Sequence, residues 1–179
     1  MLSLLTPRLK LLALSLPHLE ALAQSRSQLE KMLGLSPSAF QLNAPPDFLE
    51  EFQQALTNFN LPQLRTKPEV YPWNAHWLLI LQAENKGIGG MGLSGPPDEN
   101  GELSLGYFVD KKYEGQGLCS EAVQGLLAWI AQDPRVRRLR ADTLPDGIGS
   151  QKVLQKNGFR LLDVKAEFMT WVYDMGEQP

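Results

Sequence analysis

Residues 103–132 change their periodicity once, and that change constrains the fold around it. Leu103, Leu105, Tyr107 and Val109 alternate with Ser104, Gly106 and Phe108, the period of an extended strand. The alternation stops at Lys111 to Gly117, where Gly115 and Gly117 supply the backbone freedom for a tight turn. From Leu118 onward the apolar residues fall four apart, at Leu118, Ala122, Leu126 and Ile130, with Val123 and Leu127 beside them. That spacing is one broad apolar helical face. A strand, a basic glycine-containing loop and a long helix therefore stand in direct succession.

Such a junction is suited to binding an anion. The N–H groups of Gln116, Gly117, Leu118, Cys119 and Ser120 would point out of the loop and the open first helical turn. The helix macrodipole adds roughly half a positive charge there. Glycine at positions 115 and 117 lets a phosphate approach the backbone, and Lys112 adds a full charge beside it.

Lys112-Tyr113-Glu114-Gly115-Gln116-Gly117 resembles the acyl-CoA-binding signature of the GNAT superfamily of N-acetyltransferases, with Lys112 where the family usually has Arg or Gln. Leu105-Gly106-Tyr107-Phe108-Val109 before it and Leu118-Cys119-Ser120-Glu121-Ala122 after it are similar to the family too. So is the segment from Ser150 to Phe159, a helix ending in Gly158-Phe159. The opening Thr6-Pro7-Arg8-Leu9-Lys10-Leu11 resembles the RimJ/RimL-type branch of ribosomal-protein and other amino-terminal acetyltransferases. The resemblance implies acetyl-CoA as co-substrate, a primary amine as acceptor and direct transfer between them. A catalytically degenerate acyl-CoA-binding or regulatory protein is the alternative.

Composition agrees with a soluble globular chain. At 179 residues it is long enough for one domain, taken as 1–179, with a substantial core. A net charge of −3 argues against nucleic acid as the main ligand. One cysteine excludes an intrachain disulfide, and with only two histidines it offers no zinc cluster. The apolar run Leu11 to Leu16 is too short for a signal peptide, and no apolar stretch could span a membrane, so a cytoplasmic location is expected. Monomer and homodimer are both left open.

In chain order, Arg8 to Ala13 reads as the first strand, and Pro17 opens a helix continuing to Leu33 and stopped by Gly34. Leu35 to Pro46 reads as a loop, and Asp47 to Phe59 as a Phe-rich helix. In the family this region often lines the acceptor site. Leu61 to Ala75, with three prolines, reads as an irregular crossing anchored by Tyr71 and Trp73, with His76 just beyond. Trp77 to Gln82 and Gly87 to Leu93 form a hairpin. Its second strand carries Gly87-Ile88-Gly89-Gly90-Met91-Gly92, which matches a dinucleotide-binding fingerprint letter for letter. Ser94-Gly95-Pro96-Pro97 follows, however, and cannot open the helix that the fingerprint needs. A Rossmann reading is therefore rejected. Val136 to Ala141, Leu161 to Lys165 and Phe168 to Tyr173 are strands, and Ile148 to Lys156 is a helix. The four arginines between Arg135 and Arg140 read as a solvated strand end rather than a phosphate site. The expected fold is α/β (α+β): a GNAT-like mixed, mostly antiparallel sheet of six to seven strands, with helices on both faces.

The acceptor must present a neutral amine. A lysine side chain with a pKa near 10.4 is about 0.04% neutral at pH 7, whereas an α-amine near 7.8 is roughly 15% neutral. Only the lysine needs substantial help from a base. The matching branch often carries Glu where this chain has Ser104. Glu102, two residues earlier on the same strand face, is the base candidate, against an exposed strand-end carboxylate. By resemblance, a main-chain N–H at Phe108 or Val109 faces the oxyanion. The family's leaving-group tyrosine is absent from Ile148 to Lys156, and Ser150 matches the serine of related branch members, expected to hydrogen-bond the thiolate. The family's Asn three residues before that serine is Gly147 here, which removes a side-chain contact to pantetheine. Cys119 sits where a helix N-terminus favours a thiolate, but no histidine lies near it in sequence, and a covalent role is disfavoured.

Overall fold

The computed structural model describes residues 1–44 and 47–176. Its strands are β1 (Ser3–Leu5), β2 (Leu9–Ala13), β3 (His76–Leu81), β4 (Lys86–Leu93), β5 (Glu102–Val109), β6 (Arg138–Thr143), β7 (Arg160–Val164) and β8 (Met169–Asp174). The helices are α1 (Leu16–Gln24), α2 (Arg26–Leu33), α3 (Phe48–Ala55), α4 (Leu61–Thr66), α5 (Leu118–Ile130) and α6 (Ile148–Lys156). All eight strands join one sheet in the order β1-β2-β3-β4-β5-β6-β8-β7. Every neighbouring pair is antiparallel except β5 and β6.

Hydrophobic residues on both faces of the sheet bury helices. On one face Leu118, Ala122, Val123, Leu126, Leu127 and Ile130, the stripe expected on α5, pack against inward residues of β2 to β6. On the other, Leu19 of α1, Leu29 of α2, and Leu61 and Leu64 of α4 cover Leu12, Leu78 and Ile80. Burial of this kind is the main stabilising term, worth on the order of 25 cal/mol per Å² of apolar surface.

The mixed, mostly antiparallel architecture is as expected, with one strand more: β1 pairs Ser3 to Leu5 with Leu12 to Lys10. The helix read over Pro17 to Leu33 is two helices. Ser25 ends α1 in extended conformation, and its side chain caps α2 by accepting from the Gln28 N–H. Residues 61–66, read as irregular, are helical, because Pro62 stands in the first turn where no N–H is needed. The α3 helix ends at Ala55 and passes into α4 through a π-helical turn over Leu56–Asn60. Strand β6 begins at Arg138 rather than Val136, because Val136 and Arg137 are held in a turn by Asp133 and Gly101 carbonyls. Pro45 and Pro46, part of the loop read over Leu35 to Pro46, lie outside the described residues.

Both glycine arguments hold. Gly34 adopts φ 65° at the end of α2, and Gly158 adopts φ 83° beyond α6, where the Phe159 N–H bonds the Leu154 carbonyl. The Gly87 to Gly92 run lies inside β4, with no helix after it. A side chain at Gly89 would strike the Phe108 carbonyl at 2.4 Å, and one at Gly90 the His76 ring at 2.2 Å. Those glycines serve close packing.

Candidate active site

Hydrogen bonds at both ends of β5 fix which way its peptides face. The Ser94 N–H bonds the Ser104 carbonyl, and the Asp110 N–H bonds the Ile88 carbonyl. Even-numbered β5 residues therefore turn their peptide groups toward β4, and odd-numbered ones toward β6. At the other edge the Gly101 carbonyl accepts from Arg137 and Arg138, which agrees. The parallel pairing of β5 with β6 covers only Glu102 to Ser104, opposite Arg138 to Arg140. Beyond Ser104 the two strands part. The main-chain groups of Tyr107 and Val109 face the resulting split, while Phe108 spends its own on β4.

The split opens at one end onto the glycine turn. Asp110, buried, accepts from the Lys112 N–H and starts a single 3₁₀ turn over Lys111–Tyr113. Gly115 and Gly117 both adopt positive φ, 71° and 75°, a region open to glycine at no steric cost. Gly117 is the N-cap of α5 and offers no side chain to its first turn. The first helical bond runs from the Glu121 N–H to the Gly117 carbonyl, leaving Leu118, Cys119 and Ser120 as the open N–H donors of a helix start. Lys112, exposed, holds its ammonium 5.3 Å from the Tyr113 ring centre. Gln116 is exposed and its amide bonds back to the Lys112 carbonyl at 3.1 Å. Arg8 reaches this turn from the amino end. Its Nη1 donates to the Gln116 carbonyl at 2.9 Å and its Nε to Glu121 at 2.6 Å. Thr6 and the Arg8 N–H also bond Glu121, so the opening Thr6-Pro7-Arg8 segment holds the turn.

Beside the split, on the face covered by α5, stand two hydroxyls. Tyr107 Oη lies 2.9 Å from Ser150 Oγ and donates to the Ser150 carbonyl at 3.1 Å. Burial is the main cause that raises the Tyr107 pKa well above the ordinary phenol range, so the group is a neutral donor at physiological pH. Burial also pushes the Cys119 thiol up to about 12, with Glu114 adding to it. That agrees with the reading that disfavours a covalent role for Cys119. Ser120 is buried, and its hydroxyl accepts from Asn157 Nδ2 at 3.0 Å, tying α5 to α6. Gly147 caps α6, and an added Cβ there would sit 3.1 Å from the Leu144 carbonyl, a tight contact. Glu102 stands on the still-paired part of β5, its carboxylate 3.3 Å from Arg138 Nη1. Arg138 also pairs with Asp174, and Arg135 with Asp133, so those two arginines are engaged away from the turn.

The described residues thus gather Val109, Lys112, Gly115 to Ser120, Gly147 and Ser150 around the split, with Phe108 on its rim and Glu102 apart. A family model described as an acetyltransferase (GNAT) domain matches residues 8–160. The chain belongs to the GNAT acetyltransferase family. Among relatives of this GNAT protein, the uncharacterized N-acetyltransferase YjdG of Bacillus subtilis is 31% identical over 168 residues, covering 94% of this chain and 95% of that one. The ribosomal-protein-serine acetyltransferase of Escherichia coli is 35% identical over 77 residues, 42% of this chain and 43% of that one. In structure, the RimL ribosomal L7/L12 alpha-N-protein acetyltransferase in complex with coenzyme A superposes with a TM-score of 0.68 at 19% identity, covering 99% of this chain and 100% of that one. The protein is an acyltransferase of this family.

Sequence reasoning did not assign Tyr107 or Arg8 a role. Both left a signal. Tyr107 is the polar member of an otherwise apolar row, and Arg8 is a charged residue within the family-like opening. Among the described residues there is no cluster of groups able to hold a metal and no helix long and apolar enough to cross a membrane.

Proposed function

We propose that this GNAT protein moves an acetyl group from acetyl-CoA to a primary amine, a peptide amino terminus or a small amine, by direct attack with both substrates bound. The observation that carries the reading is the split between β5 and β6, with an anion-ready turn following β5 at its open end and a pair of hydroxyls beside it. Acetyl-CoA supplies the activated acyl group as a thioester. The N–H groups of Gln116 to Ser120 and the Lys112 ammonium suit its phosphates. Main-chain groups of Val109 and Tyr107 suit its amide arm and the carbonyl oxygen that gains charge. Of the two positions expected from sequence, parity favours Val109 for this work. Phe108 contributes its ring, and Gly147 only its backbone. Ser150, hydrogen-bonded to Tyr107, faces the leaving sulfur. A base role for Glu102 would require its carboxylate to leave Arg138. One sheet running from Ser3 to Asp174 supports reading 1–179 as a single catalytic domain. The name of the ribosomal-protein-serine relative favours a protein as acceptor.

Thermal unfolding with and without acetyl-CoA tests the reading. Ligand at 100 times its Kd stabilises by roughly 2.7 kcal/mol, a rise in Tm of about 5–10 °C for a chain of this size. Gly117→Asp should abolish the shift and Gly117→Asn retain most of it, since both residues tolerate positive φ and only one repels phosphate. No shift for the natural chain at millimolar acetyl-CoA would end the proposal.

A further inference from the structure

We infer that Asp142 takes the proton from the acceptor ammonium. The inference rests on the N-acetyltransferase reading and follows from register and strand parity. Leu139, Ala141 and Thr143 point into the helix-covered core, so Arg138, Arg140 and Asp142 point to the opposite face. That face also carries Glu102, Ser104, Gly106 and Phe108 of β5. Ser104 is paired with Arg140. Two residues on, where the strands have parted, Asp142 stands level with Gly106 across the split. Added side chains at Gly106 and at its partner Gly92 would meet nothing within 4 Å, so the sheet surface there is an open floor. Asp142 is exposed, and its Oδ1 accepts from Thr170 Oγ1 at 2.7 Å, which orients the carboxylate and leaves Oδ2 available.

The direction of attack brings the amine to this floor. Tyr107 and Ser150 lie on the helix-covered face and would receive the departing sulfur there. With that face taken by the helices, an amine reaches the planar carbonyl from the open floor over Gly106, beside Asp142. Ser104, the position where the matching branch carries its Glu, contributes only a hydroxyl. Glu102 lies about 13 Å back along β5 from Gly106, at roughly 3.3 Å per residue, and is held by Arg138.

The protons balance. Asp142 removes one proton from the ammonium and passes it to water. The freed nitrogen pair forms the bond to the carbonyl carbon, and the carbon–sulfur bond breaks with its electrons on sulfur. A second proton leaves nitrogen, and one reaches sulfur through the Tyr107–Ser150 hydroxyls, giving amide, thiol and one released proton. The other charged groups on this face are Arg138 and Arg140 on β6, Glu102 on β5, Asp174 on β8, and Arg160 and Asp163 on β7, Asp163 being registered opposite Thr170.

Asp142→Asn tests the assignment, with amino-terminal tetrapeptides and simple primary amines as acceptors. The variant should bind acetyl-CoA by calorimetry as the natural chain does and, at pH 7, lose about fivefold in kcat/KM for amino-terminal tetrapeptides and about 100-fold for simple primary amines of higher pKa. The defect should shrink by pH 9.5, where an α-amine deprotonates unaided, and Asp142→Glu should recover part of the rate. Thr170→Val separates chemistry from strand support: it removes the same hydrogen bond, keeps the carboxylate, and should stay within threefold of the natural rate. Asp142→Asn within threefold of the natural rate, a defect unchanged by pH, or an equal loss in Thr170→Val would overturn the assignment. If acetyl-CoA binds and no acceptor is ever acetylated, the inference falls with the transfer reaction. If acetyl-CoA does not bind, the reading beneath it has failed first.

Discussion

Ser150 and Tyr107 share a hydrogen bond, so in the proposed transfer neither hydroxyl would act alone. A serine hydroxyl is a weak acid, and burial keeps the Tyr107 phenol protonated. The pair can therefore donate to a departing thiolate and be refilled from the reacting nitrogen. Ser150→Ala is expected to lower kcat about tenfold while leaving acetyl-CoA affinity nearly unchanged. Tyr107→Phe should cost a similar factor, and the double variant little more than either alone, because groups working as a unit are not additive. Full rates in both single variants would remove the pair from the mechanism. Ser150 was singled out in the sequence because it matches the serine of related branch members. Tyr107 was not: its place in an apolar row gave it a packing role by period alone, and its partner lies 43 residues away.

The long elements with one dominant period were legible. The β3–β4 hairpin, β5, the α5 stripe and α6 lie where alternation and four-residue spacing put them. Short elements were not. The three residues of β1 carry too little pattern to be seen apart from β2, and Pro62 looked like a breaker because its position in a first turn depends on where α4 begins. The connection between β1 and the α5 turn is likewise a contact that no local pattern announces. Arg8 carries it, and its side chain is 47% exposed against 13% for Glu121. An ion pair so exposed contributes roughly 0–1 kcal/mol to stability. Its greater effect should be on the turn, whose Gln116 carbonyl it holds back from the incoming phosphate. Arg8→Ala should weaken acetyl-CoA binding about fivefold by calorimetry and shift Tm by no more than a few degrees. Arg8→Lys should weaken binding similarly, since one ammonium does not reproduce the guanidinium fork. Unchanged affinity in Arg8→Ala would make the contact a surface ion pair only.

The split that makes the site belongs to the whole sheet, and no local period encodes it. It arises because β6 pairs with β5 for three residues and with β8 for six. The same long-range assembly buries His76 at the edge of the floor, 5.0 Å from the Phe52 ring and 5.8 Å from the Phe108 ring, centre to centre. Burial first, and the Arg26 charge second, lower its pKa to about 3 from 6.5. The sign follows: the folded chain resists protonating His76 and the unfolded chain does not. Its contribution to stability is complete above pH 6.5 and is lost as pH falls toward 3, by at most about 1.4 kcal/mol per pH unit. His18 shifts in the same direction, also chiefly through burial. The depressed carboxylates Glu121 and Asp174 lose their contributions only at lower pH, near the ordinary carboxylate range, so pH 5 to 6.5 isolates the histidines. His76→Leu, apolar among aromatic neighbours, should take up about one proton fewer on unfolding at pH 5.5. Urea unfolding at pH 5.0, 5.5 and 6.5 measures this, because the slope of stability against pH counts the protons. A slope equal to that of the natural chain would mean that His76 is already protonated when folded, and that the floor beside Phe108 carries a positive charge unsuited to an incoming ammonium.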